Sequence, residues 1–172
     1  MNESQQIIIS NLQEEHNVGV FKLYKNVAAL TGGIARQAHE VTASYVSEFI
    51  SHTIKRGTGL VAHKGTQVVG EIHAYAPEPG CFAHVLSNLT IAVDPGCQGQ
   101  GVGRQLFEHL LQEVNLNLPH IQRVELIVRE SNLRAIAFYQ SLGFVKEGKF
   151  SARIKNADGS YDADIPMAWL KD

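Results

Sequence analysis

Apolar and polar positions alternate along this chain with two different periods. Val20, Phe21, Tyr24, Val27 and Ala28 recur at every third or fourth position, the spacing that lines one face of a helix. Just before them, Gln6 to Ser10 (QIIIS) reads as a short strand, and Ser10 followed by Gln13 offers a capping box for the helix. Gly32-Gly33 predicts a break. Val41, Tyr45, Phe49 and Ile50 predict a second helix, closed by Lys55-Arg56 and then Gly57, a basic last turn followed by a glycine stop.

The period then falls to two. Leu60 to His63, a turn at Lys64-Gly65, and Gln67 to Tyr75 (QVVGEIHAY) predict a β-hairpin. Pro77, Pro79 and Gly80 interrupt the chain before a strand over about Ala83 to Val93. A helix from about Gly101 to Leu116 follows, then a strand at 124–128 (VELIV), a helix from about Asn132 to Leu142, a strand over GFVKEGKF (143–150) and a last strand near Ala163 to Leu170. NADGS joins the final pair, and its Asp158-Gly159 is a strong turn signal. Pro166 has no N–H for a ladder, so the last strand is expected to be bulged or at a sheet edge there. Antiparallel strands at both ends enclose a β-α-β-α-β middle, which predicts an α/β protein with one mixed sheet and helices packed on it.

At 172 residues the chain is long enough for one domain with a substantial core, read as 1–172. Hydrophobic residues make up 44 % and charged residues 19 %, with a formal net charge of -2. That balance provides no basic field for nucleic acid or an anionic membrane, and both partners are disfavoured. The longest apolar runs, such as Ile7 to Ile9, are too short to span a bilayer, and MNESQQ lacks a signal peptide's basic flank. A cytoplasmic location is expected. Cys81 and Cys97 lack the spacing of a zinc site, and the eight histidines form no HExxH-type cluster, so free thiols and no metal are expected.

The densest signal is VDPGCQGQGVGR, residues 93–104, where Gly96, Gly99, Gly101 and Gly103 crowd the junction between a strand and a helix. Such a junction suits phosphate, because the first helical N–H groups lack partners and the helix dipole favours an anion. The P-loop pattern fails, since Arg104 follows Gly103 and no GK[ST] occurs. The dinucleotide pattern GxGxxG fails because its third glycine falls on Arg104. For Gly96 a helix start and tight turn suffice as explanation, whereas Gly101 and Gly103 read as making room for a ligand.

Gln98-Gly99-Gln100-Gly101-Val102-Gly103 matches the pattern Q/R-x-x-G-x-G/A, and ESNLRAIAFYQSLGF (130–144) matches N-x-x-A-x-x-F/Y-Y-x-x-x-G-F. In both the chain resembles the GNAT superfamily of acetyl-CoA-dependent N-acetyltransferases, from roughly Gly59 to the C-terminus. The resemblance implies a mostly antiparallel, splayed central sheet flanked by helices. It gives Gln98 and the N–H groups of Gly99, Gln100, Gly101, Val102, Gly103 and Arg104 to the cofactor pyrophosphate. The pantetheine arm would lie along Ile91, Ala92 and Val93, with the Val93 N–H facing the thioester oxygen as an oxyanion donor. Asn132 would contact the pantetheine or thiol end, besides being a favoured helix N-cap. Tyr139 stands where the family places the general acid that protonates the departing thiolate; packing in the core is the other reading of that residue.

The base is open. Asn88 on the strand before the loop accepts no proton, leaving Glu71 and His73, two apart on one sheet face, and His84 at the start of the next strand. Each is also an ordinary sheet residue, and a small fraction of neutral amine could bind without any base. Direct transfer in a ternary complex to a primary amine is implied, with a small amine or amino acid as acceptor and a protein N-terminus as the alternative. A non-catalytic acyl-CoA-binding module is the other class of function, and a monomer or homodimer is expected.

Overall fold

The computed structural model describes residues 6–30 and 34–171. Gly32-Gly33 lies outside the described residues. Strands β1 (Ile7–Asn11), β2 (Gly57–Lys64), β3 (Gln67–Tyr75), β4 (Val85–Val93), β5 (Arg123–Arg129), β6 (Val145–Lys146), β7 (Phe150–Lys155) and β8 (Tyr161–Leu170) alternate with helices α1 (Asn17–Ala28), α2 (Ala43–Arg56), α3 (Val102–Asn117) and α4 (Leu133–Ser141). They form two compact units, whose boundary crosses β4 between Leu89 and Thr90 and α3's end at Asn117.

In the first unit, β1, β2 and β3 are antiparallel neighbours, with Ile9 opposite Ala62 and Val61 opposite Glu71. The end of β4 lies beside the start of β3, where the Asp94 N–H donates to the Val69 carbonyl at 2.8 Å. The sheet is covered on both faces. A Cβ at Gly70 would meet Leu106 and Val102 of α3, while the neighbouring Glu71 reaches Tyr24 of α1. Alternation along a strand makes these opposite faces. On the α1/α2 face, Val20, Leu23, Tyr24, Val27, Val46, Phe49 and Ile50 form one apolar cluster with Val61, Val68 and Ala92. A fully buried Val, Leu or Phe contributes roughly 1.5–3 kcal/mol, so this helix pair is held chiefly by its apolar stripes.

The helix ends differ in part from the expected signals. The Thr42 side chain accepts the Tyr45 N–H at 3.1 Å and starts α2, which ends in Lys55 and Arg56. At α1 the Ser10–Gln13 box is displaced: the Gln13 N–H donates to His16 Nδ1 at 2.9 Å, a short 3-10 turn occupies Glu14–His16, and the α-helix begins at Asn17. Ser10 cannot cap because it belongs to β1, paired with Val61.

The second unit holds the start of β4, which runs parallel to β5 at Val85–Arg123 and Leu86–Val124. β8 pairs along β5 on one side and with β6 and β7 on the other. The strand expected over GFVKEGKF is two strands, β6 and β7, separated by Glu147 to Lys149. Pro166 explains the interruption. It is neither at an edge nor at a bulge in β8: it pairs with Ile127 of β5, and its carbonyl accepts the Glu147 N–H at 3.0 Å. Backbone N and O of a strand residue face the same neighbour, so the missing donor faces the gap between β6 and β7, where no ladder bond is lost. The Asn156-to-Ser160 turn closes the β7–β8 hairpin as expected, with Gly159 at φ 85 and the Asn156 N–H bonded to the Ser160 carbonyl.

Candidate functional site

Beyond Leu86, the strand before the glycine loop has no ladder partner among the described residues on the side away from β3. Because Asp94 directs its backbone to β3, so does Ala92, and the intervening Ile91 and Val93 direct their N–H and C=O groups away from it. The β4–β5 ladder ends at Leu86–Val124, and two residues later Asn88 takes φ 53, in the left-handed region. Asparagine is among the few non-glycine residues that enter this region routinely. Asn88 therefore carries a turn of the backbone, a role that its lack of a proton-accepting group did not suggest.

The loop that follows is built from short-range hydrogen bonds. Asp94 Oδ1 accepts the Gly96 N–H at 2.9 Å, and the Cys97 N–H returns to the Asp94 carbonyl at 2.8 Å. This makes Gly96 part of a tight helical start and buries the Cys97 thiol at 5 % exposure. Gly99 and Gly101 take φ 74 and φ 81, so both are glycine for conformational reasons. For Gly101 this supplies a conformational reason where the sequence suggested room for a ligand. Gly103 is different: a Cβ there would meet Val93 Cγ2 at 3.7 Å and Ile91 Cδ1 at 3.8 Å, ordinary contacts. The chain's own packing does not require glycine at 103.

The first internal bond of α3 is Gln105 N–H to the Gly101 carbonyl, at 3.0 Å. Among the described residues, the N–H groups of Gly99, Gln100, Gly101, Val102 and Gly103 donate to nothing in the chain. Five consecutive unpartnered donors at the N-terminus of a sixteen-residue helix present hydrogen bonds and a dipole of the kind that favours an anion. The side chains contribute less. Gln98 Nε2 turns back to the Val93 carbonyl at 3.4 Å, Gln100 Nε2 to the Gly96 carbonyl at 2.9 Å, and Arg104 pairs with Glu108 at 3.3 Å.

In the second unit, Asn132 caps α4, its Oδ1 accepting the Ala135 N–H at 3.1 Å. Asn132→Ala is expected to cost about 1 kcal/mol, which a thermal melt will register as a fall of about 2–4 °C. Tyr139 sits on the same helix beside Phe138 and Phe144, ring centroids 5.6 and 6.1 Å away. Burial pushes its hydroxyl up to about 12, so it remains a proton donor throughout the neutral range.

The three base candidates occupy very different surroundings. His84 is exposed just before β4, and its carbonyl accepts the Gln122 N–H at 2.9 Å. Glu71 is 0 % exposed and fully engaged: Tyr24 donates to Oε2 at 2.6 Å, and His73 Nδ1 lies 3.0 Å from Oε1. Glu71 is thus closed to direct contact with an acceptor, because both carboxylate oxygens are taken by protein groups. Tyr24, forty-seven positions earlier, is the partner that sequence spacing could not reveal; its helical period marks it only as core. Burial, and then Glu71, push the Tyr24 hydroxyl well above its ordinary value, which keeps it a donor. His73 stacks on Phe49 at 4.2 Å and 12°, and lies near-parallel to Tyr75 at 6.1 Å.

Comparison with known proteins agrees with this geometry. The model of the acetyltransferase (GNAT) family matches residues 18–144. The [ribosomal protein bS18]-alanine N-acetyltransferase of Escherichia coli K12 is 45 % identical over 77 residues, 45 % of this chain and 51 % of that protein. The N-alpha-acetyltransferase RimI of Mycobacterium tuberculosis is 39 % identical over 59 residues, 34 % of each. The chain thus spans about half the length, or less, of the curated relatives it matches. Among solved structures, a GNAT acetyltransferase of Streptococcus pneumoniae superposes with a TM-score of 0.87 at 18 % identity, over 96 % of this chain and 100 % of that one. The Escherichia coli ribosomal-protein-S18-alanine N-acetyltransferase gives 0.75 at 25 % identity, over 96 % and 94 %. The yncA protein of Salmonella typhimurium, solved with acetyl-CoA, gives 0.83 at 17 % identity, over 98 % and 95 %. The family match spans most of the chain and includes the strand edge of Ile91 and Val93, the row of unpartnered N–H groups and the helix of Asn132 and Tyr139: this protein belongs to the GNAT family of acetyltransferases.

Proposed function

We propose that the protein is an acetyl-CoA-dependent N-acetyltransferase that moves an acetyl group directly to a primary amine in a ternary complex. The observation that carries this reading is the run of free N–H donors from Gly99 to Gly103, which offers the cofactor pyrophosphate hydrogen bonds and a favourable dipole. The edge of Ile91 and Val93 gives the pantetheine amides a strand to pair with, and the Val93 N–H serves as oxyanion donor. Asn132 and Tyr139 are assigned the thiol end, with Tyr139 donating the proton that the departing sulfur requires.

The acceptor is a primary amine of a small molecule, an amino acid or a polypeptide N-terminus. The relatives named for ribosomal-protein alanine favour the last of these, and none of the sequence features distinguishes against it. Thiol release from acetyl-CoA, measured over amino acids, simple amines and alanine-initiated peptides, tests the assignment. Acceleration by at least one class above the hydrolysis background is expected. Binding of CoA with no acceleration by any amine leaves an acyl-CoA-binding module and ends the enzyme reading.

Tyr139→Phe is expected to lower turnover at saturating acetyl-CoA by about 10²-fold, within the usual range for a positioned general acid. Since Tyr139 holds its proton up to about 12, its own ionisation will not produce a loss of rate between pH 7 and 9. Unchanged turnover in the phenylalanine variant removes Tyr139 as the acid.

A further inference from the structure

The buried chain Tyr24–Glu71–His73 has the form of a carboxylate-oriented histidine. Glu71 is sealed, its oxygens satisfied by the Tyr24 hydroxyl and His73 Nδ1. His73 is 2 % exposed and held in plane by Phe49 on one side. Its second nitrogen, Nε2, makes no hydrogen bond among the described residues. Of the described buried side-chain atoms, only Asn17 Oδ1 is both sealed from solvent and unpartnered, so the remaining accessibility of His73 includes Nε2. The position of the ring along the sheet is also informative. β3 and β4 are neighbours, and the end of β4 meets the start of β3 through Asp94 and Val69, so the strands run antiparallel. Counting back in steps of two places Ala92 across from Glu71 and Thr90 across from His73. His73 therefore shares the sheet face of Thr90, next to the Ile91–Val93 edge assigned to the thioester.

We propose that His73 is the general base of the acetyl transfer, taking a proton from the acceptor ammonium at Nε2 while Glu71 holds its Nδ1–H. Glu71 is a positioning residue, and Tyr24 positions Glu71. The inference rests on the acetyltransferase reading above and names the base that reading leaves open. The acceptor nitrogen gives its first proton to Nε2 and then attacks the thioester carbon; the C–N bond forms and the C–S bond breaks. The second nitrogen proton passes to water as the intermediate collapses. Sulfur gains one proton, from Tyr139, and one net proton passes to water as His73 and Tyr139 are restored. Of the charged and titratable groups, Glu71 and Tyr75 of its own strand contact His73 directly; Tyr24 lies behind Glu71, Tyr45 with Arg36 stacked on it at 3.8 Å lies behind Phe49, and His52 and Arg56 lie against Tyr75.

Two measurements test the proposal. Long-range 1H–15N correlation on the intact protein is expected to find the neutral His73 ring protonated at Nδ1 and bare at Nε2; a ring protonated at Nε2 overturns it. The second compares an alanine-initiated peptide with the same peptide carrying an aminooxy group, which is neutral at the assay pH, in place of its α-amine. His73→Gln is expected to lose about 100-fold in kcat/KM with the amine, but less than about threefold with the aminooxy acceptor. Equal losses on both acceptors make His73 structural and overturn the base assignment alone. Tyr24→Phe, which keeps the ring's shape, is expected to show the same selective loss in weaker form. A wild-type protein that binds acetyl-CoA and acetylates neither acceptor nor any other amine overturns the acetyltransferase reading, and the base with it.

Discussion

Gly101→Val is expected to weaken acetyl-CoA binding about 30-fold or more, while the protein still folds. Gly101 holds φ 81 immediately before α3, and its carbonyl takes the helix's first internal bond from Gln105. A β-branched residue costs roughly 1–2 kcal/mol in the left-handed region. Space is not the obstacle, since the nearest atom to an added Cβ is Gln105 Nε2 at 3.8 Å. The strain is relieved by rotating the backbone at 101, which turns the neighbouring N–H groups off their common target. Losing two aligned donors to a charged pyrophosphate, at about 1–1.5 kcal/mol each, corresponds to the stated loss of affinity. Calorimetric titration with CoA checks it, alongside a thermal melt. Wild-type affinity in a folded variant would mean that the pyrophosphate does not sit on these N–H groups.

The largest loss of stability is expected at Gly57→Ala. Gly57 joins α2 directly to β2 and pairs with Tyr75. A Cβ there would clash with the Ala74 carbonyl oxygen and lie 2.6 Å from the Tyr75 Cα. These are backbone atoms of a buried strand, with no rotamer to change, so the helix–strand junction must move. Overpacking costs typically 1–3 kcal/mol, and a clash with backbone belongs at the upper end, about 3 kcal/mol. For a chain of this size that is a fall of about 6–12 °C in the melting temperature. A melt within 2 °C of wild type would show that the junction yields freely. The glycine stop expected from the sequence is thus glycine for a second reason: Tyr75, the stacking neighbour of His73, is pressed against it.

The elements with strong local signals were legible without the fold. The helical stripes of α1 and α2, the Lys64-Gly65 hairpin, the Asp158-Gly159 turn and the α4 cap at Asn132 each rest on interactions within a few residues. The glycine loop was legible for the same reason, since helix-terminus N–H groups lack partners whatever surrounds them. Where pairing partners are distant, local reading failed. It could not divide GFVKEGKF into β6 and β7, because the interruption answers to Pro166 on the adjacent strand.

The candidate base shows the same division at the level of chemistry. Spacing of two along QVVGEIHAY determined that Glu71 and His73 share a face, because strand side chains alternate. Which of them is sealed and which retains a usable nitrogen was decided by α1 and α2, which bring Tyr24 to the carboxylate and Phe49 to the imidazole. By itself, then, the sequence determined the family, the glycine turn before α3 and the faces of the strands, all readable from local pattern. Only the tertiary structure decided which polar groups are spent on one another, because burial and hydrogen-bond satisfaction depend on residues tens of positions apart in the chain.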